Sequence, residues 1–175
     1  MQYPSPCPGS APVAGSACQD DGLTCEFGSE PNATCDSQFS CNGGSWASVA
    51  MVDAGLACDP SYTGSCQPTY DMQKAAGMTG ACAPTGLVCG FPQGTCGCVP
   101  PGGAVSLDGG PVTQTAHWVC TDLPSGCPAP RPRLGDGCAT VGQLCDYAAC
   151  WGGVQLGCTS DHTWEEAPAT CPQGG

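Results

Sequence analysis

The chain has 175 residues, among them 18 cysteines, 27 glycines and 18 prolines, and a formal net charge of -12. Leu, Val and Phe together number 21 and Ile is absent, well under the roughly 20% at which apolar burial alone sustains a fold, so one ordinary hydrophobic core is excluded. Lys74, Arg131 and Arg133 are the only strong cations, and so acidic a surface repels nucleic acid and anionic lipid.

Cysteine supplies what the core lacks. The first set of six is Cys7, Cys18, Cys25, Cys35, Cys41 and Cys58. The second is Cys66, Cys82, Cys89, Cys96, Cys98 and Cys120, and the third is Cys127, Cys138, Cys145, Cys150, Cys158 and Cys171. Complete sets of six imply a disulfide framework with no free thiol, each set allowing 15 pairings. Each bridge contributes typically about 2–4 kcal/mol, the usual substitute for apolar area in a unit this small. Cystines persist in an oxidising compartment, so the expected location is extracellular or at the cell surface. Met1–Ser10 has neither the basic nor the apolar stretch of a secretory leader, so either the leader has been removed or export takes another route. No apolar run reaches the length of a membrane span, and no membrane insertion is expected.

Three modules follow in order. The first, residues 1–58, opens with Tyr3 four residues before Cys7. Gln19–Thr24 separates its second and third cysteines, with Gly22 at the fourth place, where a tight turn with positive φ is expected. Leu23-Thr24-Cys25-Glu26-Phe27 alternates as a strand does. Asn32-Ala33-Thr34 is a glycosylation sequon in a loop, making Asn32 a candidate modification site. Trp46 follows the fifth cysteine, and Ala47–Ala57 is an insertion.

The second module, residues 59–120, is reached through a linker at Asp59–Ser65 that carries Tyr62 four residues before Cys66. It repeats the marks as Ala83–Val88, Gly86, Phe91 and Trp118, and it carries two insertions, Gln67–Ala81 and Val99–His117. The third, residues 121–175, follows a linker at Thr121–Gly126 with Leu123 four residues before Cys127. It repeats them as Ala139–Leu144, Gly142, Tyr147 and Trp164. A period of about 55–60 residues marks a tandem array. The expected fold class is therefore small and disulfide-rich, mostly β and irregular, in three six-cysteine modules whose bridges stay within each module.

The pattern resembles a cysteine-rich tandem repeat of secreted proteins of myxobacteria and related deltaproteobacteria. The resemblance is carried by Cys127-Pro128, Gly135, Cys138, Gly142, Cys145-Asp146-Tyr147, Cys158, Trp164 and Cys171-Pro172, and by Cys7-Pro8, Gly15, Cys18, Gly22, Cys25-Glu26-Phe27, Cys41 and Trp46. The middle module departs, with Gln67 for proline and Gly90 for the acid. The resemblance implies export and a stapled β-rich unit and brings no activity with it.

Other chemistries find little footing. Structural zinc wants Cys-x2–4-Cys pairs, whereas the recurring spacing here is six. Catalysis would have to rest on His117 or His162, without a nucleophile elbow or a His-Glu-x-x-His. Glu165-Glu166 is adjacent in sequence, so in a strand the two point to opposite faces. No enzyme activity, cofactor or metal is expected. The leading expectation is a structural or adhesive protein, a fibre subunit assembled head-to-tail through Tyr3, Tyr62 and Leu123. Tyr3 has no preceding module in its own chain and would be left open for a second copy. The alternative is a secreted binding module, an inhibitor or ligand that meets a protein or cell-surface partner through Val99–His117.

Overall fold

A computed structural model describes residues 3–49, 58–59, 66–77, 80–100 and 115–171. It contains one three-stranded antiparallel meander for each cysteine set. The first is β1 (Thr24–Phe27), β2 (Ser37–Asn42) and β3 (Ser45–Ser48); the second is β4 (Val88–Phe91), β5 (Gly94–Val99) and β6 (His117–Asp122); the third is β7 (Leu144–Tyr147), β8 (Val154–Cys158) and β9 (Trp164–Glu166).

The bridges repeat one pairing three times, first cysteine to third, second to fifth and fourth to sixth. They are Cys7–Cys25, Cys18–Cys41 and Cys35–Cys58; then Cys66–Cys89, Cys82–Cys98 and Cys96–Cys120; then Cys127–Cys145, Cys138–Cys158 and Cys150–Cys171. No cysteine is free, every bridge closes within its own set, and Cys171 closes the third.

The sequence marks now have physical reasons. In each sheet the recurring tryptophan stands directly across from the fifth cysteine, as Cys41↔Trp46, Cys98↔Trp118 and Cys158↔Trp164. The indole therefore covers a bridge, and all three are buried. Gly22, Gly86 and Gly142 adopt φ of 90°, 85° and 80°, a region side chains resist. Each donates its N–H to the carbonyl of that fifth cysteine at 2.8 Å, tying the turn to the sheet.

Two features differ from the sequence reading. The insertion 67–81 contains a helix, α1 (Tyr70–Gly77), whose buried Tyr70 and Gln73 pack it on the second sheet. Tyr70 donates to Asp122 Oδ1 at 2.6 Å, and Lys74 reaches the same oxygen at 2.7 Å. Thr121 and Asp122, read as linker, are the last residues of β6. None of the helices is long and apolar enough to cross a membrane among the described residues.

The three repeats also touch one another. Asn32 of the first donates to Gly86 O of the second at 3.4 Å. Leu123 N–H, at the head of the third, donates to Gln93 O of the second at 2.8 Å. The third and first are joined by a backbone bond from Glu26 N–H to Leu134 O at 3.1 Å and by Ser5 Oγ to Gly135 O at 2.8 Å. Ala33 of the first repeat belongs to the buried cluster of the third, with Leu134, Tyr147 and Leu156. The array thus closes on itself.

Candidate functional site

Where the three repeats meet there is a cleft of about 590 Å³. The first repeat supplies the turn Gly28–Pro31, the second Phe91, Pro92 and Thr95, and the third Leu123, Pro128–Arg131 and Tyr147. The local structure follows from the bridges. Phe91 and Tyr147 end β4 and β7, the strands anchored by Cys89 and Cys145. Pro128–Pro130 leaves Cys127, and its course is fixed by Tyr147 Oη donating to Pro128 O at 2.9 Å. Burial pushes the Tyr147 phenol up to about 12, so the hydroxyl stays a donor. Proline, aromatic and Leu side chains share the wall with glycine, Thr95, Glu30 and Arg131, and Arg133 pairs with Asp136 at 3.6 Å on the rim. Such a concave, mainly apolar site with a few convergent polar groups is the usual form of a ligand pocket.

Behind the wall lies a buried ionic cluster. Arg131 donates from Nη1 to Glu26 Oε2 at 2.9 Å and from Nη2 to Glu26 Oε1 at 2.5 Å. Asp36 Oδ2 stands 3.7 Å from the same guanidinium. The three side chains are 7%, 0% and 4% exposed respectively. Glu26 Oε2 also accepts Leu134 N–H at 3.0 Å, and Arg131 Nη2 donates to Glu30 O at 2.7 Å. Burial alone would raise Glu26, yet hydrogen bonds with Arg131 and Asp36 hold its carboxyl below the ordinary value. Burial, and then the hydrogen bond with Glu26, push Asp36 up to about 7. Gly28 is required here, since a side chain at that position would collide with the Asp36 carboxyl.

No family model, curated protein or solved structure matches the chain.

The residues singled out from sequence fall as follows. Tyr3 has a partner within the chain: its ring stacks on His162 of the third repeat, centroids 3.7 Å apart. Its backbone carbonyl lies where a side chain at Gly137 would project. The positions equivalent to Gly137 are Ala17 and Ala81, which form the same isolated bridges in the other repeats. The third repeat therefore holds one face of the Tyr3 ring, while the residue as a whole stays 39% exposed. Leu123 is half-buried against the third core and lines the cleft. Tyr62 lies outside the described residues.

Asn32 is buried. Its Oδ1 accepts from Thr34 N and Oγ1, and its Nδ2 faces Gly86 of the second repeat. A glycan cannot sit there in the closed structure, which corrects the expectation of a modifiable loop. His162 holds a left-handed backbone, φ 58°, at the place occupied by Gly44 in the first repeat, as the matching bonds Cys138 N–H to His162 O and Cys18 N–H to Gly44 O show. His117 is exposed at the start of β6. Of Val99–His117 only residues 99–100 and 115–117 are described; Val99, Pro100 and His117 border a second cleft of about 400 Å³ that Trp151 also lines.

Sequence reading missed Arg131, Asp36 and the role of Glu26. The available signal was the cation count: a guanidinium in so acidic a chain is bound to meet carboxylates. Which carboxylates they are depends on contacts between residues 105 apart in sequence.

Proposed function

We propose that this protein is a non-enzymatic extracellular binding module whose ligand, an apolar group of a partner or a small apolar molecule, sits in the cleft shared by the three repeats. The observation that carries the reading is the composition of the walls: Phe91, Leu123, Tyr147 and four prolines, contributed by all three repeats. Nine bridges hold those walls before any ligand arrives, so little ordering cost falls on binding. The location follows from the chemistry of cystine, which is maintained in an oxidising compartment.

A fibre subunit assembled through Tyr3, Tyr62 and Leu123 is the weaker reading, because Tyr3 and Leu123 are engaged within the chain. The test is titration of the native protein with an apolar fluorescent anion, anilinonaphthalene sulfonate, followed by amide chemical shifts. Shifts centred on Phe91, Leu123 and Tyr147, abolished when Pro92→Trp fills the cleft, support the reading. Absence of binding, or binding that survives Pro92→Trp, overturns it.

A further inference from the structure

We propose that Glu26, Asp36 and Arg131 form a proton-operated latch between the first and third repeats, fastened while one proton is held between the two carboxyl groups and loosened when that proton leaves.

The geometry sets the charge count. Two carboxyl groups and one guanidinium are enclosed together, each more than nine-tenths buried. With both acids ionised, one negative charge remains uncompensated in the interface, and burying such a charge is costly. One proton on the pair makes the cluster neutral. Asp36 is the natural holder: Glu26 takes both guanidinium nitrogens in a fork, the strong arrangement for such a pair, while Asp36 meets Arg131 only at 3.7 Å.

The surroundings offer little to replace the proton. Asp36 accepts the Glu30 N–H at 3.2 Å, but the Glu30 side chain is itself an exposed acid. Tyr147 is neutral, and Arg133 is engaged with Asp136 on the rim. Arg131 Nε–H is buried and meets no acceptor among the described residues, so the guanidinium is not fully satisfied either. The cluster also joins the repeats physically: Glu26 and Asp36 belong to the first, Arg131 to the third, and Leu134 N–H binds the same Glu26 oxygen as Arg131.

The direction with pH follows. The closed form holds the Asp36 proton up to about 7, whereas a freed Asp36 releases it at its ordinary 3.8. The Asp36 contribution to closure is therefore full below 3.8, weakens as pH rises toward 7, and levels off above. Glu26 works in the opposite sense, since its depressed value means its ion pair is lost only as pH falls below 4.5. The latch is thus fastened in mildly acidic surroundings and slack in alkaline ones.

The experiment is amide hydrogen exchange on the intact protein at pH 5 and pH 8, corrected for intrinsic rates, read at Glu26 and Leu134, whose N–H groups both cross the interface. Protection is expected to fall at least about tenfold at pH 8, the effect of a pKa displaced by one unit or more. It should fall much less in Asp36→Asn, which is neutral at both pH values. Amides of β8, within the third repeat alone, should hold their protection in both proteins. Equal interface protection at the two pH values, or an Asp36→Asn variant with the wild-type dependence, overturns the proposal. Should Asp36→Asn fail to fold, carboxyl carbon shifts of the wild type decide: a midpoint for Asp36 near neutrality supports the latch, and one near 4 overturns it.

Discussion

Gly15 and Gly135 occupy the same place in the first and third repeats, three residues before the second cysteine, and comparing Gly15→Ala with Gly135→Ala isolates the closure of the array. Their φ values are 85° and 82°. Their N–H groups make the same bond, to Trp46 O at 2.7 Å and Trp164 O at 2.8 Å. Alanine at either site costs about 1–2 kcal/mol for the left-handed backbone, offset by about 0.4–1 kcal/mol from a less flexible unfolded chain. At Gly15 the new methyl meets nothing within 4 Å, so the net loss should be about 1 kcal/mol or less. At Gly135 it would overlap Cys7 Sγ and lie 2.9 Å from Thr24 O. Cys7 is tied to Cys25, so the first repeat has to back away as a body. Overpacking of this kind adds about 1–3 kcal/mol, and the bond from Ser5 Oγ to Gly135 O lies on the same contact. Gly135→Ala should therefore cost about 2–4 kcal/mol in all. Guanidinium unfolding with the bridges intact, at constant m, measures both variants. Equal losses would refute the reasoning, since the local backbone cost would then be the whole effect and the interface would carry none.

Arg131→Met should cost about 3–5 kcal/mol near neutral pH, the range for stripping a partner from a buried ion pair, and the loss should shrink as pH falls below 4.5, where the variant's carboxyls, no longer facing a guanidinium, take up protons; thermal unfolding across pH checks this. Leu156→Ala, at a fully buried site in the third core, should cost about 2–5 kcal/mol by denaturant unfolding. His162→Gly should recover about 1 kcal/mol of backbone strain while losing the stack on Tyr3; a larger hydrogen-exchange rate near Tyr3 without loss of global stability is the expected signature. Secretion from a glycosylating host should yield folded protein with Asn32 unmodified, read by peptide mass spectrometry.

What was legible in the sequence was local to each repeat. Cysteine spacing, the turn glycines and the tryptophans report a meander whose parts lie within some 50 residues, and the structure gives each mark a bond or a register pair. The helix α1 was overlooked because it is short and sits in an insertion peculiar to one repeat. Its signals were a run of helix formers, Met72-Gln73-Lys74-Ala75-Ala76, after Thr69, whose Oγ1 accepts Met72 N–H at 3.4 Å. The cleft and the Arg131 cluster were out of reach for a different reason. They are made between repeats, and spacing within a repeat says nothing about how repeats dock. Glu26 illustrates both levels: its place after Cys25 marks the repeat, while its task is set by a third repeat that periodicity treats as a copy.

The single hydrogen at Gly137, where the other repeats carry Ala17 and Ala81, works as an address. Only the third repeat has room for the Tyr3 carbonyl, so the amino-terminal segment docks there and not on either of its siblings. Because that site is on the same chain, its effective concentration for the segment is of millimolar order, as for other tethered partners. A free copy in dilute solution competes poorly for that site. Restoring the methyl with Gly137→Ala would evict the segment and free Tyr3. The first expected product is then a monomer with a loose arm rather than a polymer, because the arm's only matching site has been removed from every copy at once. Mixing that variant with wild-type chains would supply intact sites that are already occupied, and exchange into them would be governed by how often a wild-type arm lifts.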